Sequence, residues 1–260
     1  MLRGYSLYKS TDNFDIYIEN DDSSDKTVIK LSNRNNTQLS NEVLRKEYMI
    51  YKLVTESSYF PCCYGLEECS DTQLGLVLEY GGHNLNEILK NNLFTNDQSI
   101  QWIQDIIQCI YILHSHGIIH RDIKPENFLV SRDHVKLCDF SISYIEDMKQ
   151  TEVVPPLSVG SARWYRSPEM FGLVPIYTKS CDIWSLGCIF YEIICKQVAF
   201  PSHSDSEHLN LIYQRIKIIQ QEIQQSPYPK WLQQLTISFL TINPKNRPSI
   251  ESCTNYINMN

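Results

Sequence analysis

One polar stretch limits the possible folds of this chain more than any other part of it. Residues 120–127 read HRDIKPEN and are crowded with ionisable and amide side chains. They follow an apolar-periodic segment, residues 100–119, and precede a short apolar run, residues 128–130. The periodic segment predicts a long helix, and the short run predicts a strand. The polar stretch is therefore expected to be a loop between them, for which a solvated surface loop is the ordinary alternative.

A second motif follows at close range. Residues 136–141 read KLCDFS. Together the two stretches resemble the H-R-D-x-K-x-x-N catalytic loop and the D-F-G metal loop of eukaryotic protein kinases. The first pattern is very rare by chance, so the pair in this order favours chemistry over a solvated surface. The resemblance implies a two-lobed α+β kinase fold, in which a β-sheet with one helix forms the small lobe and the larger lobe is mainly α-helical.

The resemblance assigns a role to the polar residues of both motifs. Phosphoryl transfer from ATP needs alignment and charge neutralisation more than covalent chemistry. Asp122 is expected to accept or orient the proton of the attacking hydroxyl, and Lys124 to lie near the transferred phosphate. Asn127 and Asp139 are expected to hold Mg²⁺, because their oxygens are hard ligands. A lysine two residues after the aspartate resembles serine/threonine kinases rather than tyrosine kinases.

Composition argues against several other classes of protein. The chain has 260 residues, enough for one large domain or for two lobes. Its formal net charge is -7 and it has no basic stripe, so no nucleic-acid partner is expected. The longest strongly apolar segment, residues 183–195, is too short to span a bilayer, and no signal core is present. Nine cysteines without a C-x-x-C pair predict reduced thiols rather than a zinc site, in a cytoplasmic or nuclear protein.

The first part of the chain predicts a lobe built on a β-hairpin. Apolar and polar side chains alternate there, with a turn at residues 19–25. The strand that ends at Lys30 resembles the V-A-I-K strand of kinases. Kinases also carry G-x-G-x-x-G on the first hairpin, but the best-matching stretch here, residues 10–17, has no glycine. Asp12 and Asp15 lie in that stretch, and their carboxylates are expected to weaken the binding of a polyphosphate.

A helix is expected after this hairpin. Residues 41–54 have helical periodicity, and Ser40 is a candidate N-cap. Glu47 lies on the apolar face of this helix, where a carboxylate needs a cation. The spacing from Lys30 to Glu47 is similar to that of the Lys–Glu pair that positions the phosphates of ATP in kinases. Glu42 is the alternative partner for Lys30.

An apolar strand that ends in E-Y-G-G resembles the hinge of kinases. The resemblance makes Leu78 the gatekeeper residue and assigns adenine binding to backbone groups of Glu79 and Gly81. It also places Leu129 on the floor of the adenine pocket and Val28 in its ceiling. Ordinary core packing is the alternative for each of these apolar residues.

In the expected larger lobe, several residues resemble those that stabilise the fold of kinases. Thr95 begins a T-x-x-Q capping box, and a long helix is expected from there to near Gly117. Asp182 opens a helix that is apolar nearly all round and is therefore expected to be buried. In kinases this aspartate holds the backbone of the catalytic loop. Arg247 is expected to pair with Glu169, which stands in an S-P-E version of the A-P-E motif.

Residues 163–166 read RWYR and resemble the W-Y-R signature of the cyclin-dependent and MAP kinase branch, the CMGC group. In that group the arginine accompanies a preference for proline after the target Ser or Thr, so a proline-directed kinase with a cyclin-like regulatory subunit or an activating kinase is implied. The stretch from Asp182 to Arg247 is short for the group. Ser141 replaces the glycine of D-F-G, and Ala162 stands where a threonine usually contacts the catalytic aspartate.

The segment between Asp139 and Glu169 is rich in Ser, Thr and Pro and resembles an activation loop, which predicts regulation. Arg121 precedes the catalytic aspartate, and in kinases with this arginine a phosphate on the activation loop pairs with it. Ser158 lies at a spacing similar to that of the activating phosphosite in many kinases. Thr151, Ser161 and Tyr144 are the alternatives, and a plain polar loop is the ordinary interpretation.

The resemblance covers essentially the whole chain. It implies one kinase domain over residues 1–260, with a small lobe at residues 1–79 and a large lobe at residues 80–260. The implied function is transfer of the γ-phosphate of ATP to Ser or Thr hydroxyls of protein substrates. The alternative is a pseudokinase that acts as a scaffold or allosteric partner, which the missing glycines, Asp12, Asp15 and Ser141 favour. Five polar residues favour the enzyme: Lys30, Glu47, Asp122, Asn127 and Asp139.

Overall fold

The computed structural model describes residues 3–21, 25–33, 37–92, 94–131, 134–146, 161–171 and 175–257. By their contacts, the residues fall into two compact units. The first comprises Met1–Gly82 and Lys136–Ser141, and the second comprises His83–Val135 and Ile142–Asn260. The segment Lys136–Ser141 therefore packs with the first unit although it comes later in the chain.

The first unit contains a five-stranded antiparallel sheet in the order β1-β2-β3-β5-β4. Its strands are β1 Tyr5–Ser10, β2 Phe14–Glu19, β3 Thr27–Ser32, β4 Cys63–Glu68 and β5 Leu74–Glu79. The predicted hairpin is confirmed as β2 and β3. Strand β3 lies in the middle of the sheet, so Lys30 has Ile16 opposite it on one side and Leu76 on the other.

Among the described residues of this unit there is one helix, α1, which spans Thr37–Leu53. The expectation of Ser40 as its N-cap is wrong, because Ser40 lies inside the helix and is fully buried. Ser40 precedes Val43, Leu44 and Glu47 at helical spacing, and all four are buried. The buried face therefore extends one turn further towards the N-terminus than the apolar pattern indicated, because a small serine fits into that face.

The second unit is mainly α-helical. Its helices are α2 Leu85–Asn91, α3 Asn96–Ser115, α4 Lys179–Cys195, α5 Asp205–Gln225, α6 Lys230–Phe239 and α7 Ile250–Ile257. Its strands are short: β6 His83–Asn84, β7 Ile118–Ile119, β8 Phe128–Ser131, β9 His134–Leu137, which runs on into the first unit, and β10 Tyr144–Ile145. A sheet with one helix and a larger helical unit confirm the α+β fold class.

Helix α3 begins and ends where the sequence predicts. The Thr95 hydroxyl accepts the Gln98 N–H at 3.2 Å, and the Gln98 side chain accepts the Thr95 N–H at 3.0 Å, which completes the capping box. After the last helical residue, Ser115, Gly117 adopts a φ of 68° that glycine takes at little cost. The chain then enters β7 and the HRDIKPEN loop.

Helix α4 forms the core of the second unit, as its apolar sequence predicts. All its residues from Cys181 to Ile194 are buried. Trp184 stacks on Phe200 with the ring centroids 5.7 Å apart. A Cβ atom on Gly187 would lie 2.9 Å from the Leu240 side chain, so only glycine permits this close approach. Within the described parts of the chain, no helix combines the length and apolar character that crossing a bilayer requires.

Candidate active site

Lys30, Glu47 and Asp139 form an ion cluster within the first unit. The Lys30 ammonium lies 2.7 Å from Glu47 Oε2 and 2.8 Å from Asp139 Oδ1. Burial alone lowers the pKa of Lys30, but the carboxylates of Asp139 and Glu47 outweigh it and hold this pKa above its usual value. The ammonium therefore stays charged at neutral pH. Glu47 rather than Glu42 is the helix carboxylate that reaches it.

The metal-loop segment is attached to the first unit at several points. The Phe140 N–H donates to Glu47 Oε1 at 3.1 Å, and the Phe140 ring meets Tyr51 edge-on with centroids 4.8 Å apart. Asp139 has a φ of 67°, in the left-handed region that non-glycine residues rarely adopt. Ser141 is not among the described residues with positive φ. The serine in place of glycine therefore adds no backbone strain of this kind.

Strand β5, which the resemblance assigns to the hinge, carries an ion pair that the sequence did not predict. Lys136 Nζ lies 2.6 and 2.8 Å from the two carboxylate oxygens of Glu79, and the Cys62 N–H donates to the same carboxylate at 2.9 Å. Burial alone raises the pKa of Glu79, but the Cys62 N–H and Lys136 lower it below its usual value. Leu78 is 8% exposed and Gly81 is buried. In the sequence, Lys136 stands three residues before Asp139, but no pattern there identifies Glu79 as its partner.

The residues assigned to the adenine pocket are divided between the units. Val28 is half-buried on β3, opposite Leu78 of β5. Leu129 is half-buried on β8 of the second unit, opposite Asn84.

The glycine-free stretch forms a tight turn. Strand β1 ends at Ser10 and β2 begins at Phe14. The Thr11 N–H donates to the Phe14 carbonyl at 2.8 Å, and the Thr11 hydroxyl accepts the Phe14 N–H at 3.0 Å. The Ser10 hydroxyl donates to the Asp15 carboxylate at 2.5 Å, and Asp12 is exposed. A threonine cap thus closes a turn that kinases build with glycines.

The polar residues of the HRDIKPEN loop lie together in the second unit. Lys124 Nζ lies 2.5 Å from Asp122 Oδ2. Asn127 Nδ2 donates to the Asp122 carbonyl at 2.8 Å and to its Oδ2 at 3.2 Å. A short 3-10 helix, Pro125–Asn127, brings Asn127 back towards Asp122. The side chain of Asp122 is 13% exposed, so it is shielded but accessible.

Asp182 holds the backbone of this loop. Its carboxylate accepts the N–H groups of His120 and Arg121, both at 2.9 Å, and contacts His114 Nε2 at 2.9 Å. Burial alone raises the pKa of Asp182, but the contact with His114 and the Arg121 N–H lower it below its usual value. The carboxylate is therefore ionised and fixes the residues before Asp122. No pattern in the sequence indicates His114 as its partner.

Arg121 is packed rather than solvated. It is 8% exposed and has a φ of 71°. Its guanidinium carbon lies 4.1 Å from the centroid of the Tyr177 ring, and its Nε atom is buried without a hydrogen-bond partner. A cavity of about 10 Å³ adjoins Arg121 and Asp122, which leaves room for about one water molecule.

The S-P-E motif is anchored as expected. Arg247 donates to both carboxylate oxygens of Glu169, at 2.6 and 2.9 Å. It also donates to the carbonyls of Ser180, Thr241 and Ile242, at 2.9, 2.7 and 2.9 Å. Burial alone raises the pKa of Glu169, but Arg247 lowers it below its usual value.

The RWYR stretch is also held in place. Arg163 Nε donates to Asp205 at 2.6 Å, and Trp164 Nε1 donates to the Ser202 carbonyl at 2.9 Å. Both contacts tie the stretch to α5 and the loop that precedes it.

Of the four candidate phosphosites, two lie among the described residues and two do not. Ser158 and Thr151 lie outside the described residues. Ser161 begins a 3-10 helix, Ser161–Tyr165, which also holds the backbone of Ala162. Tyr144 lies in β10 and pairs with Ile119.

Comparison with known proteins places the chain in a family. Residues 16–257 match the model of the protein kinase domain. The chain belongs to the protein kinase family. Within the described ranges, no group of three or more His, Cys, Asp or Glu side chains is arranged to hold a metal ion. Asn127 and Asp139, the residues assigned to Mg²⁺, lie in different units.

Individual relatives indicate which group of protein kinases this chain resembles. Cyclin-dependent kinase F-4 of Oryza sativa subsp. japonica is 34% identical over 138 residues, which are 52% of this chain and 29% of that protein. Mitogen-activated protein kinase 15 of Caenorhabditis elegans is 36% identical over 154 residues, 56% of this chain and 33% of that protein. Cyclin-dependent kinase-like 2 of Rattus norvegicus is 36% identical over 210 residues, 66% of this chain and 40% of that protein. The chain thus spans well under half the length of these relatives, and the resemblance to the CMGC group is confirmed.

Proposed function

We propose that this kinase is catalytically active and transfers the γ-phosphate of ATP to Ser or Thr hydroxyls of protein substrates. The observation that carries the proposal is the ion cluster, in which one buried, charged lysine contacts both Glu47 and Asp139. Burying the charged groups of Lys30 and Glu47 is costly unless they are paired. A scaffold has no chemical need for that arrangement, whereas a kinase needs a fixed cation at the phosphates.

The first unit is proposed to bind the nucleotide. ATP supplies the phosphoryl group, and Mg²⁺ neutralises charge on it. Lys30 fits the phosphates because its ammonium is charged and fixed, and Asp139 fits Mg²⁺ because it offers carboxylate oxygens on a side chain that is 36% exposed. Backbone groups of Glu79 and Gly81 are proposed to bind adenine next to the gatekeeper Leu78. The backbone N–H of Glu79 already donates to the Cys62 carbonyl at 2.9 Å. The backbone carbonyl of Glu79 is therefore the group proposed to bind adenine.

The second unit is proposed to act on the protein substrate. Asp122 accepts or orients the proton of the attacking hydroxyl, because it is a carboxylate held at a fixed place in a shielded loop. Lys124 contacts Asp122 and supplies a positive charge for the transferred phosphate. Asn127 orients Asp122 through its amide and offers an oxygen to Mg²⁺.

Several finer features belong to the same proposal. The chain is proposed to form one kinase domain over residues 1–260, with lobes at 1–79 and 80–260. The RWYR stretch supports a preference for proline after the target residue, and the likeness to cyclin-dependent kinases supports a cyclin-like subunit or an activating kinase as partner. All nine cysteines are free thiols, which supports a cytoplasmic or nuclear location.

A pseudokinase is the second candidate. The threonine-capped turn favours it, because backbone amides approach phosphates most closely where the loop is made of glycines. Asp12 and Asp15 near the same turn add negative charge.

The decisive experiment measures transfer of radiolabelled phosphate from ATP to a generic basic protein, with and without Mg²⁺. We expect transfer by the wild-type protein and none by Asp122→Asn, whose Oδ2 contacts to Lys124 and Asn127 are altered without loss of volume. Equal labelling by both proteins, or none by either, would favour the pseudokinase.

A further inference from the structure

The first unit places an aromatic ring on the lysine that is proposed to bind phosphate. The Lys30 ammonium lies 4.7 Å from the centroid of the Phe14 ring, within the range of a cation–π interaction. Both residues are 7% exposed. We propose that Phe14 is a gate on the nucleotide site, and that its ring must leave Lys30 before a phosphate can bind there. This proposal rests on the proposed use of ATP.

The gate follows from the number of N–H groups that the Lys30 ammonium can offer to a phosphate. A lysine has three N–H groups and no acceptor. Two partners of Lys30 are carboxylate oxygens, of Glu47 at 2.7 Å and of Asp139 at 2.8 Å. The ring of Phe14 is its third neighbour. A phosphate oxygen that binds Lys30 must therefore replace a carboxylate or the ring.

The ring is the neighbour that costs least to replace. Removing a partner from a buried ion pair costs on the order of 100-fold or more in an equilibrium constant. A cation–π contact is worth about 2- to 30-fold. Glu47 and Asp139 are also the residues that the proposed reaction needs beside Lys30. The ring of Phe14 is therefore expected to move first.

The threonine-capped turn sets the position of the ring. Phe14 is the first residue of β2, where its carbonyl accepts the Thr11 N–H at 2.8 Å and its N–H donates to the Thr11 hydroxyl at 3.0 Å. Ile16, two residues later on the same face, lies opposite Lys30. Phe14 is therefore the diagonal cross-strand neighbour of Lys30, close enough for an aromatic side chain to reach it. The missing glycines and the covered lysine are thus parts of one local structure.

The gate predicts a specific difference between ligands. ATP carries phosphates and must displace the ring, whereas adenosine carries none and binds only through its base and sugar. Replacing Phe14 is expected to strengthen the binding of ATP and to leave the binding of adenosine unchanged. A substitution that disturbed the whole nucleotide site would instead change the affinities for ATP and for adenosine together.

The test is isothermal titration calorimetry with ATP and with adenosine. The set is the wild-type protein, Phe14→Leu, Phe14→Ala and Phe14→Tyr, with Tyr8→Leu as the matched control on the neighbouring strand β1. Tyr8 is 56% exposed and lies on β1. Thermal melting checks that each variant is folded, and Phe14→Leu keeps apolar volume if Phe14→Ala does not fold.

We expect the affinity for ATP to rise by about 2- to 30-fold in Phe14→Leu, and at least as much in Phe14→Ala. Phe14→Tyr and Tyr8→Leu should match the wild-type protein, and adenosine should bind all of them alike. If adenosine binds but the ratio of the two affinities is unchanged in folded Phe14→Leu, or ATP binds it less tightly, the gate is refuted and the nucleotide site stands. If neither ligand binds any of these proteins, both the gate and the proposed use of ATP are refuted.

Discussion

The pair Arg247–Glu169 permits a quantitative prediction for the second unit. The Arg247 side chain is fully buried and makes five hydrogen bonds to Glu169 and three backbone carbonyls. Arg247→Met keeps much of the apolar stem but leaves the Glu169 carboxylate buried beside unpaired carbonyls. Removing one partner of a buried pair costs about 3–5 kcal/mol in the free energy of unfolding. A change of 1 kcal/mol lowers the melting temperature of a domain of this size by about 2–4 °C. The expected loss is therefore about 6–20 °C.

The exposed pair of Lys179 and Glu146 is the matched control. Its atoms are 3.0 Å apart, but its side chains are 36% and 43% exposed. Such surface pairs contribute about 1 kcal/mol or less, so Lys179→Met should lose at most a few degrees. Differential scanning fluorimetry at pH 7 is the first assay. If Arg247→Met and Lys179→Met melt within one or two degrees of each other, the reasoning from burial and pairing is wrong.

The pH dependence of the same variant gives a second readout. Arg247 lowers the pKa of Glu169 in the folded protein below its usual value near 4.5. A carboxylate with a depressed folded pKa stabilises the fold above its unfolded pKa, and that contribution is lost as the pH falls through the folded value. The melting curves of wild type and Arg247→Met should therefore differ most above about pH 5 and converge below it. A difference that stays constant down to pH 3 would contradict this mechanism.

Three further predictions concern activity. Asp139→Asn should abolish phosphoryl transfer while leaving the fold intact, and unchanged activity would exclude Asp139 as a metal ligand. Replacing Asp12 and Asp15 together by Gly should lower the Michaelis constant for ATP by several-fold, since one like-charge contact near an exposed ligand is worth about 1 kcal/mol or less; an unchanged or higher constant would show that these carboxylates point away from the nucleotide. Phosphatase treatment, Ser158→Ala and Arg121→Ala should each lower activity, because a phosphate on Ser158 would gain charge-assisted hydrogen bonds from Arg121; if phosphatase leaves the wild-type activity untouched, this switch does not exist.

The sequence predicts those parts of the site that depend on local spacing or on a motif shared with kinases. The seventeen-residue separation of Lys30 and Glu47 resembles that of the Lys–Glu pair of kinases, and the observed contact at 2.7 Å agrees with that resemblance. The capping box at Thr95 also depends only on residues three positions apart. Ser40 shows the limit of such rules, since a residue type typical of helix starts lies inside α1.

The contacts that the sequence does not predict join residues far apart in the chain. Glu79 and Lys136 are 57 residues apart. No kinase motif quoted above pairs these two positions. The same holds for His114 and Asp182, which are 68 residues apart. Ion pairs and hydrogen bonds of this kind depend on which elements pack together, and charge pattern alone does not specify packing.

Backbone strain in the two motif loops bears on the choice between enzyme and scaffold. Among the described residues, four that are not glycine have positive φ: Asn92, Arg121, Asp139 and Lys196. Asn92 and Lys196 are the left-handed C-caps of α2 and α4, a common way for helices to end. Arg121 and Asp139 end no helix, and each such conformation costs about 1–3 kcal/mol. Both lie beside or at a proposed catalytic residue and are fixed by contacts to Asp182 and Lys30. Strain that neighbouring contacts hold at these two positions, and that no helix end explains, favours a site built for chemistry over a surface that only binds a partner.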